Sequence, residues 1–155
     1  MVRLKGFEKL TNVDEALATF SKALKPKRLN LETAAIENAL GRVTAEDIIA
    51  RTDLPRFDRS AVDGYAVIAK DIFEASQFKP KTLKLTRKDG LQQAQVKQVW
   101  TGNPLPKGAD AVIMLEHTRT VGNKIEIAGS VTPGENVSKK GEDIKKGEVD
   151  RKSVV

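Results

Sequence analysis

Two aspartates stand five residues apart in Arg56–Val67, RFDRSAVDGYAV. Arg59 and Ser60 follow the first, and Gly64 directly follows the second. An acid ahead of Arg59-Ser60 can accept backbone N–H groups and hold a turn, so Asp58 reads as a turn-shaping residue. Asp63 reads differently. The glycine beside it lets the backbone approach another group closely. The alternating run Tyr65-Ala66-Val67-Ile68 places it at the mouth of a strand, where a carboxylate is projected rigidly. Such an acid suits a hard cation such as Mg²⁺, or a ligand that donates hydrogen bonds. The residues alone leave a plain turn acid equally open.

Two further stretches carry similar chemistry. Thr101–Asp110, TGNPLPKGAD, sets a hydroxyl and a glycine ahead of two prolines that stiffen the loop. Stiff loops on strands are good places for preorganised ligand contacts, although an ordinary rigid connection fits too. The strand it leads into, DAVIMLE, ends at Glu116, before His117. With no cysteine and no second histidine, His117 reads as a surface residue rather than a metal ligand. In Pro133–Ile144, PGENVSKKGEDI, Lys139 and Lys140 precede Gly141 and could meet phosphate. Asp143 could meet a metal or an amine, and a merely solvated charged turn is the alternative.

The elements that position these turns are mixed. Val13, Leu17, Phe20 and Leu24 recur on one face of a 3.6-residue period, which predicts a helix over 12–24. Thr11 with Asp14 resembles a capping box, and Pro26 should stop the helix. Residues 30–41 fit either a helix or a short strand at 33–36 followed by one helical turn. Beyond Arg42 the pattern predicts strands at 43–49, 65–69, 82–87, 94–100, 110–116 and 124–128, with a hairpin turn at Gly122-Asn123. Short, evenly spaced strands of this kind predict an antiparallel, barrel-like unit.

Composition bounds the function. A chain of 155 residues with 39% hydrophobic and 31% charged residues can build one domain or two small interleaved ones. No run of 18 apolar residues exists, so no membrane association is expected. The first ten residues lack the apolar core of a signal peptide. The absence of cysteine removes thiol chemistry and suits a cytoplasmic protein. A net charge of +6 fits either a Lys-rich solvated surface or an anionic partner, a phosphate ligand or nucleic acid. Aromatics at 5% are too few for a base-stacking platform, so nucleic acid is not the expected one. The basic residues are spread over 79–97 and 139–152 rather than along one helix.

Taken in order, FDRSAVDGYAV, TGNPLPKGADAVIMLEHT and PGENVSKKGEDIKKGE resemble the N-terminal signatures of the molybdopterin molybdotransferase family. That is the MoeA group, which includes the E domain of gephyrin. The similarity runs from the leading helix through ALGRVTAEDI to Gly147. It implies a β-rich α+β fold of bent antiparallel sheets with an α/β helical subdomain. Residues 1–50 and 136–155 would form that subdomain, and 51–135 an inserted barrel-like one. It implies insertion of molybdate into adenylylated molybdopterin with release of AMP, assisted by Mg²⁺, in a homodimer. By motif position, the catalytic residues fall on Asp63, Thr101 and Asp143. Substrate binding falls on Ser60, Gly64, Gly102 and Lys140, and metal ligation on Asp63 and Glu116. Asp58 and Ser60 would shape the turn that presents Asp63.

The sequence departs from the commonest family pattern at Arg59 and Val62, where Asn and Met are usual. Both changes leave Asp63 in place. After Glu148 the polar run Asp150–Ser153 breaks the apolar pattern, and the family's pterin-nucleotide-binding and C-terminal domains are absent from these 155 residues. Three readings follow: one part of a molybdotransferase site, a non-catalytic dimerisation or regulatory module of the same family, or a basic nucleic-acid-binding domain. The trio Asp63, Thr101 and Asp143 favours the first over the second, since a scaffold does not need it.

Overall fold

A computed structural model describes residues 10–25, 27 and 29–151, which fall into two compact units divided at Ala45/Glu46. In the first unit the helical period is realised as α1, Val13–Leu24. Its N-cap is Asn12, whose side chain accepts the Asp14 N–H at 2.9 Å, rather than Thr11. Asp14 and Glu15 in the first turn and Lys22 in the last complement the helix dipole. Lys25 ends the helix in the left-handed region, at φ 37°, and the expected stop at Pro26 lies outside the described residues. Residues 30–41 form no long helix and no strand at 33–36; the expected single helical turn is realised as a 3₁₀ turn, Ile36–Asn38, their only regular element.

The second unit is mostly β. Its principal sheet has six strands: β3 (Gly64–Val67), β4 (Lys81–Leu85), β5 (Gln95–Val99), β6 (Ala111–Met114), β7 (Thr118–Val121) and β8 (Lys124–Ile127). The order across the sheet is β6-β3-β5-β4-β8-β7. The sheet is not wholly antiparallel as expected, because β4 and β5 pair in parallel, Lys84 with Gln95 and Leu85 with Val96. The Thr86–Ala94 connection doubles back to allow this, with Gly90 at φ 93° and Ala94 at φ 58°. The Asp71 carboxylate pins it by accepting the Ala94 N–H at 2.7 Å. β7 was not foreseen as a strand; it pairs with β8 across the Gly122-Asn123 turn that the sequence did signal.

Four two- or three-residue strands complete the unit. The expected strand 43–49 shrinks to β1 (Ile48–Ile49), which pairs with β10 (Val149–Arg151). β2 (Arg59–Ser60) pairs with β9 (Val137–Ser138).

β3 is buried on both faces, which explains why GYAV reads apolar throughout. Tyr65 and Val67 join Ile72, Leu83, Val96, Ile113, Ile125 and Ile127 in the main core. Ala66 turns to the other face and meets Val99 and Val112. Val62, Leu105 and Val137 pack over that second cluster. One comes from each of the three signature stretches, and each is partly buried, so each stabilises by less than the roughly 1.5–3 kcal/mol of a fully buried side chain. The turns that carry the candidate chemistry therefore sit on a common apolar footing. No helix among the described residues is long and apolar enough to cross a membrane.

Candidate active site

The three turns meet along residues 53–63. On one side, Ser60 N–H donates to the Asn103 carbonyl at 2.9 Å, Gly102 N–H to the Ser60 carbonyl at 2.8 Å, and Leu105 N–H to the Asp58 carbonyl at 2.9 Å. On the other side lies the β2–β9 pair, followed by Gly141 N–H to the Pro55 carbonyl at 2.9 Å and Asp143 N–H to the Leu54 carbonyl at 3.0 Å. β2 is the middle rung of this arrangement.

The structure brings Asp63 and Thr101 together. Asp63 Oδ1 accepts the Thr101 N–H at 2.7 Å and its hydroxyl at 2.7 Å. The backbone N–H first, and the hydroxyl second, hold the Asp63 carboxyl below its usual range. Asp63 is exposed and charged, and its Oδ2 accepts no hydrogen bond among the described residues. Gly102 supplies the left-handed φ of 86° that the Thr101 turn needs, with open space around its Cα.

Asp58 does more than shape its own turn. Its carboxylate accepts the Lys140 N–H at 2.8 Å and pairs with Lys139 Nζ at 3.0 Å. Asp53 does the same one step along, accepting the Lys146 N–H at 2.9 Å and pairing with Lys140 Nζ at 3.2 Å. Lys140 is thus an ion-pair partner, not a bare cation awaiting phosphate. Asp143 lies exposed on the turn these clamps hold, with no side-chain hydrogen bond or ion pair among the described residues.

Two expected substrate contacts are placed otherwise. Ser60 is 1% exposed, and its hydroxyl donates to the Val62 carbonyl, so it builds the turn from inside. Gly64 is buried, and a Cβ there would collide with the Ile113 carbonyl oxygen. The close approach the glycine allows is to strand β6, not to a ligand. Glu116, on the 3₁₀ turn Leu115–His117, is exposed and makes no hydrogen bond or ion pair with Asp63.

Among the described residues no three His, Cys, Asp or Glu side chains gather to hold a metal ion. One free carboxylate oxygen on Asp63 is too little for a Mg²⁺ site made by this chain alone. The Mg²⁺ expectation is not met by the described residues alone.

Sequence reasoning missed Asp53, Asn103 and Asn136. Asn103 Oδ1 accepts the Trp100 N–H at 3.1 Å and closes the Thr101 turn. Asn136, at φ 57°, donates from Nδ2 to the Val112 carbonyl at 2.9 Å, and its own carbonyl accepts the Ala61 N–H at 2.9 Å. The Asn103-Pro104 dipeptide and the asparagine after Pro133-Gly134-Glu135 were signals of turn chemistry, but not of which turns they join.

The clamps predict an acid limit. For Asp58 the Lys140 N–H is the main cause of a lowered pKa, ahead of Lys139, and for Asp53 the Lys146 N–H leads, ahead of the Lys140 side chain. A carboxyl lowered in the folded state contributes stability that is fully present above its unfolded value, about pH 4. That contribution is lost as pH falls through the lower folded value. The urea midpoint should therefore fall below about pH 4, and the fall should be shallower in Asp53→Asn/Asp58→Asn. An identical acid branch in the double variant would show that the clamps do not couple to folding.

Residues 11–152 match the family described as MoeA N-terminal region (domain I and II). A putative molybdopterin biosynthesis protein of Methanocaldococcus jannaschii is 48% identical over 114 residues, covering 74% of this chain and 29% of the relative. The molybdopterin molybdenumtransferase of Bacillus subtilis is 37% identical over 135 residues, covering 79% and 31%. The crystal structure of a molybdopterin biosynthesis moeA protein from Pyrococcus horikoshii superposes with a TM-score of 0.74 at 42% identity, covering 79% of this chain and 34% of that one. The chain thus spans about a third of the length of these relatives. With its β-rich, curled-sheet fold and its three converging turns, it belongs to the MoeA family, in that family's N-terminal region.

Proposed function

We propose that this chain forms one wall of a site that inserts molybdate into adenylylated molybdopterin with release of AMP. The observation that supports this most is Asp63. It is charged, exposed, fixed through one oxygen by both donors of Thr101, and left with the other oxygen open. A carboxylate so oriented can position a substrate's donor groups without reorganising when the substrate arrives. Asp143 presents a second acid from the neighbouring turn. Thr101 acts through Asp63 and is a positioning residue. Gly102 lets the Thr101 turn close, while Ser60 and Gly64 hold the platform underneath. The rest of the site, including the surface that binds the pterin-nucleotide, would come from sequence outside 1–155 or from a second chain.

The experiment is a chimera. Residues 11–152 would replace the corresponding region of the B. subtilis molybdenumtransferase, and insertion of molybdate into adenylylated molybdopterin would be assayed. Insertion is the expected result. A folded chimera that binds the nucleotide but inserts nothing would sink the catalytic reading and favour a module without catalysis.

A homodimer is part of the proposal. Every residue of α1 is exposed, including Val13 at 79%, Leu17 at 62%, Phe20 at 61% and Leu24 at 58%. An amphipathic face left open in this way is stabilised by burial against a partner. Light scattering should give the dimer mass for the chain and the monomer mass for Leu17→Asp/Phe20→Asp. A monomer without the substitutions would remove the dimer from the proposal.

A further inference from the structure

The positive charge that looked dispersed in the sequence is gathered by the fold. Two adjoining grooves of about 590 and 630 Å³ share Asp89, Gly90 and Lys107 and form one trough on the second unit. Lys84, Arg87, Lys88, Lys97 and Lys107 line it, against the single acid Asp89. These five cations and one acid account for four of the chain's six net positive charges. Asp89 is committed to Lys97 at 3.1 Å. Lys84, Arg87, Lys88 and Lys107 are exposed and make no side-chain ion pair among the described residues.

The trough is built, not incidental. Leu91 N–H donates to the Lys107 carbonyl at 2.7 Å, which ties the loop after β4 to the loop before β6. Gly108, at φ 88°, admits this contact, since a Cβ there would stand 2.5 Å from the Leu91 carbonyl oxygen. The prolines Pro104 and Pro106 stiffen one bank. Like charges held together on a rigid surface raise each other's energy, and an anionic occupant relieves that cost.

We infer that this trough binds an acidic segment of a partner protein, lying extended across the loops 84–92 and 103–108. Two joined open grooves fit an elongated occupant better than a compact one. No aromatic side chain lines either groove, so there is nothing on which nucleic-acid bases could stack. The bank formed by Asn103–Lys107 continues the turn that begins at Thr101, so a partner seated here would lie beside the candidate site. No trough cation is among the residues assigned to that site, and the inference does not depend on the reaction.

The test uses a fluorescein-labelled twelve-residue oligoglutamate and fluorescence anisotropy on the whole chain at about 0.15 M salt, where non-specific surface attraction is screened. Binding is expected, weakened at least about tenfold by Lys84→Ser/Arg87→Ser/Lys88→Ser, a change of about 1.4 kcal/mol. Lys70→Ser/Arg119→Ser/Lys145→Ser removes the same charge from exposed positions outside the trough and should change affinity less than about twofold. Equal loss in the two triples would overturn the inference, because only net charge would then matter. So would tighter binding of a labelled oligothymidylate of equal length, which would make the trough a nucleic-acid site. Full displacement by millimolar pyrophosphate would also overturn it, by making the ligand a small phosphate. Absence of oligoglutamate binding would overturn it outright.

Discussion

Asp63→Asn in the chimera should lower molybdenum insertion by about 100-fold or more while the fold stays intact. Asparagine keeps Oδ1 as an acceptor for the Thr101 N–H and hydroxyl, so the turn can persist. It replaces the open, charged oxygen with a neutral amide. Unchanged insertion by this variant would remove Asp63 from the reaction. Asp63→Ala is a poorer test, because alanine would strand both Thr101 donors. Thr101→Val separates positioning from bulk stability. It deletes the hydroxyl, the weaker of the two influences on Asp63, and leaves the backbone N–H. The acid limb of the rate profile should then shift to higher pH, because the carboxyl is less strongly held in its charged form. A lower rate with an unmoved profile would mean that Thr101 serves only the loop.

The features legible in the sequence were those with a repeating pattern. The period of Val13, Leu17, Phe20 and Leu24 signalled α1, the run Tyr65-Ala66-Val67-Ile68 signalled β3, although it is buried on both faces rather than alternating, and DAVIMLE signalled β6. Asp63 and Thr101 were each singled out by a family resemblance, but that they hydrogen-bond to one another was not legible in the sequence. What stayed hidden depends on long-range pairing. A two-residue strand such as β2 has no period to detect, and it exists because Val137–Ser138 reaches it from far along the chain. Likewise Asp58 reads as a local turn acid until Lys140, 82 residues away, donates to it. β7, with the sequence TRTV, carries little apolar signal and is a strand because β8 supplies its ladder. The parallel β4–β5 pair was invisible because register across a loop is set by the contacts that hold it, here Asp71 and Lys107.

Gly64→Ala should be the most destabilising single substitution in the Asp63 turn, costing about 3 kcal/mol or more. The added methyl would meet the Ile113 carbonyl, which is backbone and not a side-chain tip that could swing away. β3 cannot retreat from β6 either, because β5 is hydrogen-bonded on its other side, with Gly64 opposite Val99. With a total stability of about 5–15 kcal/mol for a domain of ordinary size, such a loss leaves little folded protein at moderate temperature. Gly102→Ala is the matched comparison. Its Cβ would meet nothing within 4 Å, so only the φ of 86° opposes it, at about 1–2 kcal/mol. Urea denaturation should therefore rank Gly64→Ala well below Gly102→Ala. The reverse order would mean that β3 and β6 can separate and that the Asp63 platform is softer than its hydrogen bonds imply. The site shares the consequence, because the Asp63 carbonyl accepts the Leu115 N–H at 3.2 Å just beyond β6. Pushing β3 off β6 would break that bond and turn the carboxylate away from Thr101. The glycine after the acid is thus required by the neighbouring strand, and it is through that strand that Asp63 is held where a substrate can meet it.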